Sequence, residues 1–129
     1  MSISIENALN NIAKLDGFVG TALVDAETGA IFNTKKNPEY PDFDLELSAT
    51  ADAKAMREKV KSIQSLGLGN TLENIQIALT HQYHLICPLP NVNSVFIYCI
   101  LDRSKADLTK AKELMTGAAL QINLQAIQV

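Results

Sequence analysis

The sequence has few of the residues on which nucleic-acid binding depends. Tryptophan is absent, aromatic residues make up 5% of the chain, and 11 Lys and Arg are outnumbered by 14 Asp and Glu. A protein that binds DNA or RNA needs a surplus of cations for the phosphates and aromatic rings on which bases stack. With a net charge of −3, this chain is expected to have no nucleic-acid partner.

Long apolar runs are also missing, and there are only two cysteines among 129 residues. No segment approaches the roughly 18 consecutive apolar residues that a membrane-spanning helix needs. The start, MSISIENALNNIAKLDG, has neither the basic flank nor the apolar stretch of a signal peptide. A chain of this length can bury a core without disulfides or a metal. We therefore expect a cytoplasmic protein with no membrane association, folded as one domain over residues 1–129.

Motifs for catalysis or cofactor binding are absent as well. Neither G-x-x-x-x-G-K-[ST] nor G-x-G-x-x-G occurs after a predicted strand, so no nucleotide cofactor is expected. His81, His84 and Cys87 are close in sequence, but strand alternation separates their directions, which favours a plain hairpin turn over a zinc site. Cys87 and Cys99 fall in apolar strands, where core packing is favoured over a nucleophilic role. We predict no enzyme activity, no catalytic residues and no metal.

What the sequence does contain is a regular series of helix and strand patterns. Apolar residues at helical spacing predict three helices, over residues 4–15, 43–64 and from Ser104 onward. Ser4 is the expected N-cap of the first helix, and Ser104 with Asp107 resembles a capping box for the last. β-favouring runs predict five strands, at 18–24, 30–34, 72–80, 83–89 and 94–101. Residues 123–129 have no predicted structure.

The resulting order is α-β-β-α-β-β-β-α. Short turns between consecutive strands favour an antiparallel sheet, and the last strand, SVFIYCIL, is apolar on both faces. Such a strand must be central in the sheet and covered by helices on both sides. The predicted fold class is α+β.

The second helix and the strand after it carry a pattern of their own. The helix has an alanine-rich apolar stripe, with Ala51 and Ala55 alongside, which permits close approach of another helix. Core packing is the alternative interpretation of this stripe. Strand 72–80 contains no proline that would protect its edge. We predict a homodimer whose interface comprises Ala49, Ala53, Met56, Val60, Ile63, Leu72, Asn74, Gln76 and Ala78.

Three segments resemble the Roadblock domain family of dynein light chains and bacterial GTPase regulators: GFVGTALVDAETGAIF, LENIQIALTHQYHLICPL and SVFIYCILDRSKADLTKAKEL. The resemblance extends from the first helix to about residue 117. It implies a five-stranded antiparallel sheet with the first and last helices on one face and the second helix on the other. It also implies dimerisation through the second helix and third strand, and binding of Ras-like small GTPases.

Two functions follow from this resemblance. One is a non-catalytic homodimeric regulator or binding partner of a cytoplasmic Ras-like small GTPase. The other is a structural scaffold or adaptor dimer in a motor or signalling assembly, with no dependence on a GTPase. If the protein is a regulator, its binding should depend on the nucleotide state of the partner. If it is a scaffold, it should bind its partner in either state.

Overall fold

The structure is a computed structural model that describes residues 3–90 and 92–122. Its elements follow the predicted order, whereas the unassigned residues 123–129 lie outside the described part. The helices and strands are α1 (Ile5–Ile12), β1 (Phe18–Asp25), β2 (Ile31–Lys36), α2 (Leu45–Leu66), β3 (Ile75–Ala78), β4 (Gln82–Leu89), β5 (Val92–Asp102) and α3 (Leu108–Gln121).

The helix ends are set by side-chain caps. The Ser4 hydroxyl accepts the Asn7 amide at 3.1 Å, as predicted for the N-cap of α1. The predicted capping box at Ser104 is wrong. Asp107 caps α3 by accepting the Lys110 amide at 3.2 Å, while the Ser104 hydroxyl instead donates to the Asp102 carboxylate at 2.7 Å. The last helix therefore begins after Asp107.

The strands form one antiparallel sheet in the order β2-β1-β5-β4-β3. The strand that is apolar on both faces, β5, is the central one, and its residues from Val95 to Leu101 are all buried. This arrangement confirms the prediction made from the run SVFIYCIL. The two edge strands are β2 and β3.

The helices cover both faces of the sheet. Residues of α1 and α3 pack together on one face, where Ile12 and Met115 are among the buried side chains. On the other face α2 packs alone, through Leu45, Ala49 and Met56. The α+β architecture with two helices on one face and one on the other is confirmed. Within the described residues, no helix is long and apolar enough to cross a membrane.

Strand β3 is shorter than predicted, since four residues are paired where the sequence pattern predicted nine. Its pairing with β4 matches Ile75 with Ile86, so Glu73 and Pro88 would form the next hydrogen-bonded pair. Proline has no N–H to donate, so the ladder stops there. At the other end, the Leu79 amide donates to the Gln82 carbonyl at 2.8 Å and closes the turn into β4.

Candidate functional site

The outer edge of β3 offers backbone groups for pairing. In an antiparallel pair, every second residue directs both its N–H and its C=O to the neighbouring strand. Because Leu79 donates to Gln82, the alternation makes Gln76 and Ala78 the residues whose backbone groups point away from β4. Both side chains are exposed. Within the described residues, no strand pairs with this side of β3.

The opposite edge of the sheet is protected. On β2 the Lys35 ammonium donates to the Asn10 side chain at 2.6 Å, and Lys36 forms an ion pair with Glu46 at 2.8 Å. Two prolines follow this strand in the sequence. Lysines and prolines are the usual means by which an edge strand is made unfit for pairing. The two edges of the sheet are therefore unequal, and β3 is the open one.

The nine residues predicted for the dimer interface fall into three groups. Ala49, Ala53 and Met56 are at most 1% exposed and pack against the sheet of their own chain. These three residues therefore take part in the core of their own chain, as in the alternative interpretation of the stripe. Their place in a dimer interface stays a prediction.

The second group lines an apolar groove. Val60, Ile63 and Leu72 are half-buried and form one wall, and Leu120 near the end of α3 lies on the other. The cavity volume is about 500 Å³, and Glu73 is the charged side chain among its described lining residues. The third group, Asn74, Gln76 and Ala78, is exposed along β3. Association of two copies at this surface stays a prediction.

A buried polar cluster lies between α2 and the sheet, and sequence reasoning missed it. The Nδ1 atom of His84 is 2.9 Å from both the Asp52 carboxylate and the Tyr98 hydroxyl. Tyr98 also donates to Asp52, and the Ser48 hydroxyl lies 2.5 Å from the Tyr98 oxygen. On the other side of the ring, Nε2 of His84 is 3.1 Å from the Gln82 side-chain oxygen. The Asp52 carboxylate that contacts His84 is 32 positions away from it in the sequence.

This cluster of Ser48, Asp52, His84 and Tyr98 is placed to hold the fold together. The side chains of His84 and Asp52 are 9% and 15% exposed, and Tyr98 is fully buried. Burial, followed by the hydrogen bond to Asp52, raises the pKa of Tyr98. Helix α2 covers these groups. Their hydrogen bonds connect α2 to β4 and β5.

The structure separates Cys87 from His84. Cys87 lies on the sheet face covered by α1 and α3, whereas His84 lies on the face covered by α2. Burial raises the pKa of both thiols, Cys87 and Cys99, which opposes formation of a nucleophilic thiolate. Among the residues that the structure describes, no three His, Cys, Asp or Glu side chains are grouped as metal ligands would be.

The architecture defined by this sheet and its three helices is the Roadblock fold. Solved structures that are similar include gliding protein MglB from Thermus thermophilus, an MglB with a tetrameric arrangement and a Roadblock/LC7 domain from Streptomyces avermitilis.

The Thermus MglB superposes with a TM-score of 0.78 at 15% identity, over 96% of this chain and 89% of its own. The tetrameric MglB gives 0.78 at 15% identity over 95% and 88%. The Streptomyces domain gives 0.65 at 11% identity over 91% and 92%. No protein-family model and no curated protein sequence matches the chain. At these identities the similarity concerns the fold.

Proposed function

We propose that the chain forms a homodimer through β3 and the adjoining side of α2, and that this dimer regulates a cytoplasmic Ras-like small GTPase without catalysing a reaction itself. The observation that carries the proposal is the open edge of β3 in a Roadblock fold. Antiparallel pairing of two such edges would satisfy the outward backbone groups of both copies and extend the sheet to ten strands.

The side of α2 above β3 suits close contact with a second helix. Ser48 and Asp52 reach toward β4 and β5, whereas the Arg57 guanidinium donates to the Ala26 carbonyl beyond β1 at 2.5 Å. The side of α2 nearest β3 is therefore the one that carries Ser48 and Asp52. Ala55 lies on that side, one turn beyond Asp52, and is exposed. A side chain this small would let two α2 helices approach across the dimer axis.

The similar structures support an assembly function. One of them is a gliding protein and another MglB has a tetrameric arrangement, so oligomers occur on this fold. The GTPase partner follows from the resemblance of the sequence to the bacterial regulators of the Roadblock family. A regulatory role without catalysis agrees with the burial of the His84 and Asp52 side chains beneath α2.

Sedimentation of matched proline variants tests the dimer. Gln76→Pro removes an N–H that points away from the sheet, so the chain should fold but no longer pair. The control is Thr34→Pro, since the pairing of Asn37 with Val19 makes Thr34 the corresponding outward residue on β2. We expect wild type and Thr34→Pro at twice the 14.0 kDa of one chain and Gln76→Pro at 14.0 kDa. A wild type that sediments as a single chain at micromolar concentration refutes the dimer.

A nucleotide-dependent pull-down tests the partner. The immobilised protein is incubated with native extract containing either GDP or a non-hydrolysable GTP analogue, and captured proteins are identified by mass spectrometry. A regulator is expected to retain a Ras-like GTPase preferentially in one nucleotide state. Equal retention of the same partners in both states would support the scaffold function instead.

Both arginines of the chain are engaged within the fold, which bears on how a GTPase could be stimulated. Arg57 is bonded to the Ala26 carbonyl, and Arg103 donates to the Leu79 carbonyl at 3.0 Å while its guanidinium lies 5.1 Å from the centre of the Tyr83 ring. An arginine finger must instead extend to the transferred phosphoryl group, where it contributes about 10³–10⁵ in rate. Stimulation would act by ordering the GTPase's own catalytic groups. A thousandfold loss of single-turnover hydrolysis with Arg57→Ala or Arg103→Ala, with binding intact, would contradict this.

A further inference from the structure

The geometry of β3 points to the register of the dimer and to the side chain that enters the groove. We propose that Leu79 of each copy packs beside Ile75 of the other copy, at the end of the groove formed by Val60, Ile63 and Leu72. This inference rests on the proposed homodimer. It adds a defined residue pairing, which can fail even if the dimer exists.

The register follows from the two residues with outward backbone groups. When two identical strands pair about a twofold axis, the residues on opposite strands are related by that axis. Only pairing of Gln76 with Ala78 of the second copy uses every outward group within the strand Ile75–Ala78. The twofold axis then passes between Ile77 of one copy and Ile77 of the other. An axis at Gln76 would pair Ala78 with Asn74, which lies outside the strand.

This register brings two apolar residues face to face. With the axis at Ile77, Leu79 of the second copy lies opposite Ile75 in a non-hydrogen-bonded pair, where the Cα atoms are about 4.5 Å apart. Ile75 is half-buried against the α2 side of the sheet, together with Val60 and Leu72. Leu79 directly follows β3, and its hydrogen bond to Gln82 continues the same register, so the alternation of side chains places it on this side as well. It is 42% exposed in the single chain.

The groove provides the space for this side chain. It begins at Leu72 and Asn74, next to Ile75, and its walls are mainly apolar. Its volume of about 500 Å³ exceeds that of one leucine side chain. Twofold symmetry repeats the contact, so each dimer would contain two such insertions. The second copy is thus the occupant that matches both the free edge and the exposed leucine.

Disulfide cross-linking tests the register. Cysteines at directly opposed positions have a Cα separation within the range that a disulfide accepts. Ile75→Cys mixed with Leu79→Cys should therefore give a covalent dimer on a non-reducing gel, and neither variant should do so alone. Within one chain the two positions are about 13 Å apart along the strand, too far to bridge. Ile77→Cys should cross-link alone. The native Cys87 and Cys99 are buried, and the wild-type protein with these two cysteines gives the background level of cross-linking.

The outcomes separate the register from the dimer. If sedimentation finds a dimer but Ile75→Cys cross-links alone, or the mixture does not cross-link, the register is refuted and the dimer stands. If sedimentation finds a single chain, the register and the proposed dimer are both refuted. The proposal is supported if the mixture and Ile77→Cys form covalent dimers, while Ile75→Cys and Leu79→Cys form none when each is tested alone.

Truncation of the inserted side chain gives an independent measurement. Leu79→Ala should raise the dissociation constant of the dimer by about tenfold, because the lost apolar contact belongs to the interface. Phe32→Ala is the matched control, because Phe32 is 40% exposed and lies on β2, at the far edge of the sheet. Equal dissociation constants for Leu79→Ala and wild type would overturn the insertion of Leu79.

Discussion

Replacing Asp52 by alanine should cost more stability than its position on a helix surface suggests. The carboxylate accepts hydrogen bonds from Tyr98 and His84, and its own side chain is 15% exposed. Each buried donor left without an acceptor costs about 1–3 kcal/mol. The Tyr98 hydroxyl can turn toward His84 or Ser48, which recovers part of the loss. We therefore expect the free energy of unfolding to fall by about 2–4 kcal/mol.

Urea denaturation followed by circular dichroism, at one protein concentration, measures this loss. The control is Glu58→Ala on the same helix, where the ion pair with Lys61 is 4.0 Å long and both side chains are about 70% exposed. Exposed pairs of this kind contribute about 0–1 kcal/mol. A free energy of unfolding for Asp52→Ala equal to that of the control would refute the structural role of the polar cluster.

Three further substitutions have outcomes fixed by the packing. Met56→Lys puts an unpaired charge at a site that is 1% exposed, so thermal melting should reveal lost stability before dissociation, whereas Met56→Leu should fold normally. Gly17→Ala should destabilise more than Gly67→Ala, since both have positive φ but only at Gly17 would a Cβ lie 2.7 Å from the Asp102 carbonyl. The pKa of Tyr98 is raised in the folded chain, whereas in the unfolded chain the same hydroxyl ionises near pH 10. Ionisation therefore favours the unfolded state above about pH 10, and the urea concentration at the midpoint of unfolding should decline there. The decline should be smaller in Tyr98→Phe.

Local patterns were sufficient to predict the order of the elements. Periodicity and turn residues act within a few positions, and the doubly apolar run SVFIYCIL has only one suitable place, the centre of the sheet. The length of β3 could not be predicted in this way. It depends on Pro88, which belongs to the neighbouring strand and interrupts the ladder opposite Glu73.

The candidate site was predicted less completely, because a stripe indicates which side of a helix is apolar and not what covers it. Ala49, Ala53 and Met56 were assigned to a second copy but are covered by their own sheet. The bond between His84 and Asp52 joins residues 32 positions apart, beyond the reach of any periodicity. One signal was present: Asp52 adjoins the apolar stripe, where a charged residue requires a partner.

The unequal edges of the sheet would also limit how far the proposed assembly could grow. Each chain has one edge that is open to pairing and one edge occupied by Lys35 and Lys36 with their partners. Two copies joined through β3 would present β2 at both outer ends, so a third copy would find no edge to extend. Each chain would therefore pair its sheet with only one other chain. The dimer could not grow into a fibre by further strand pairing.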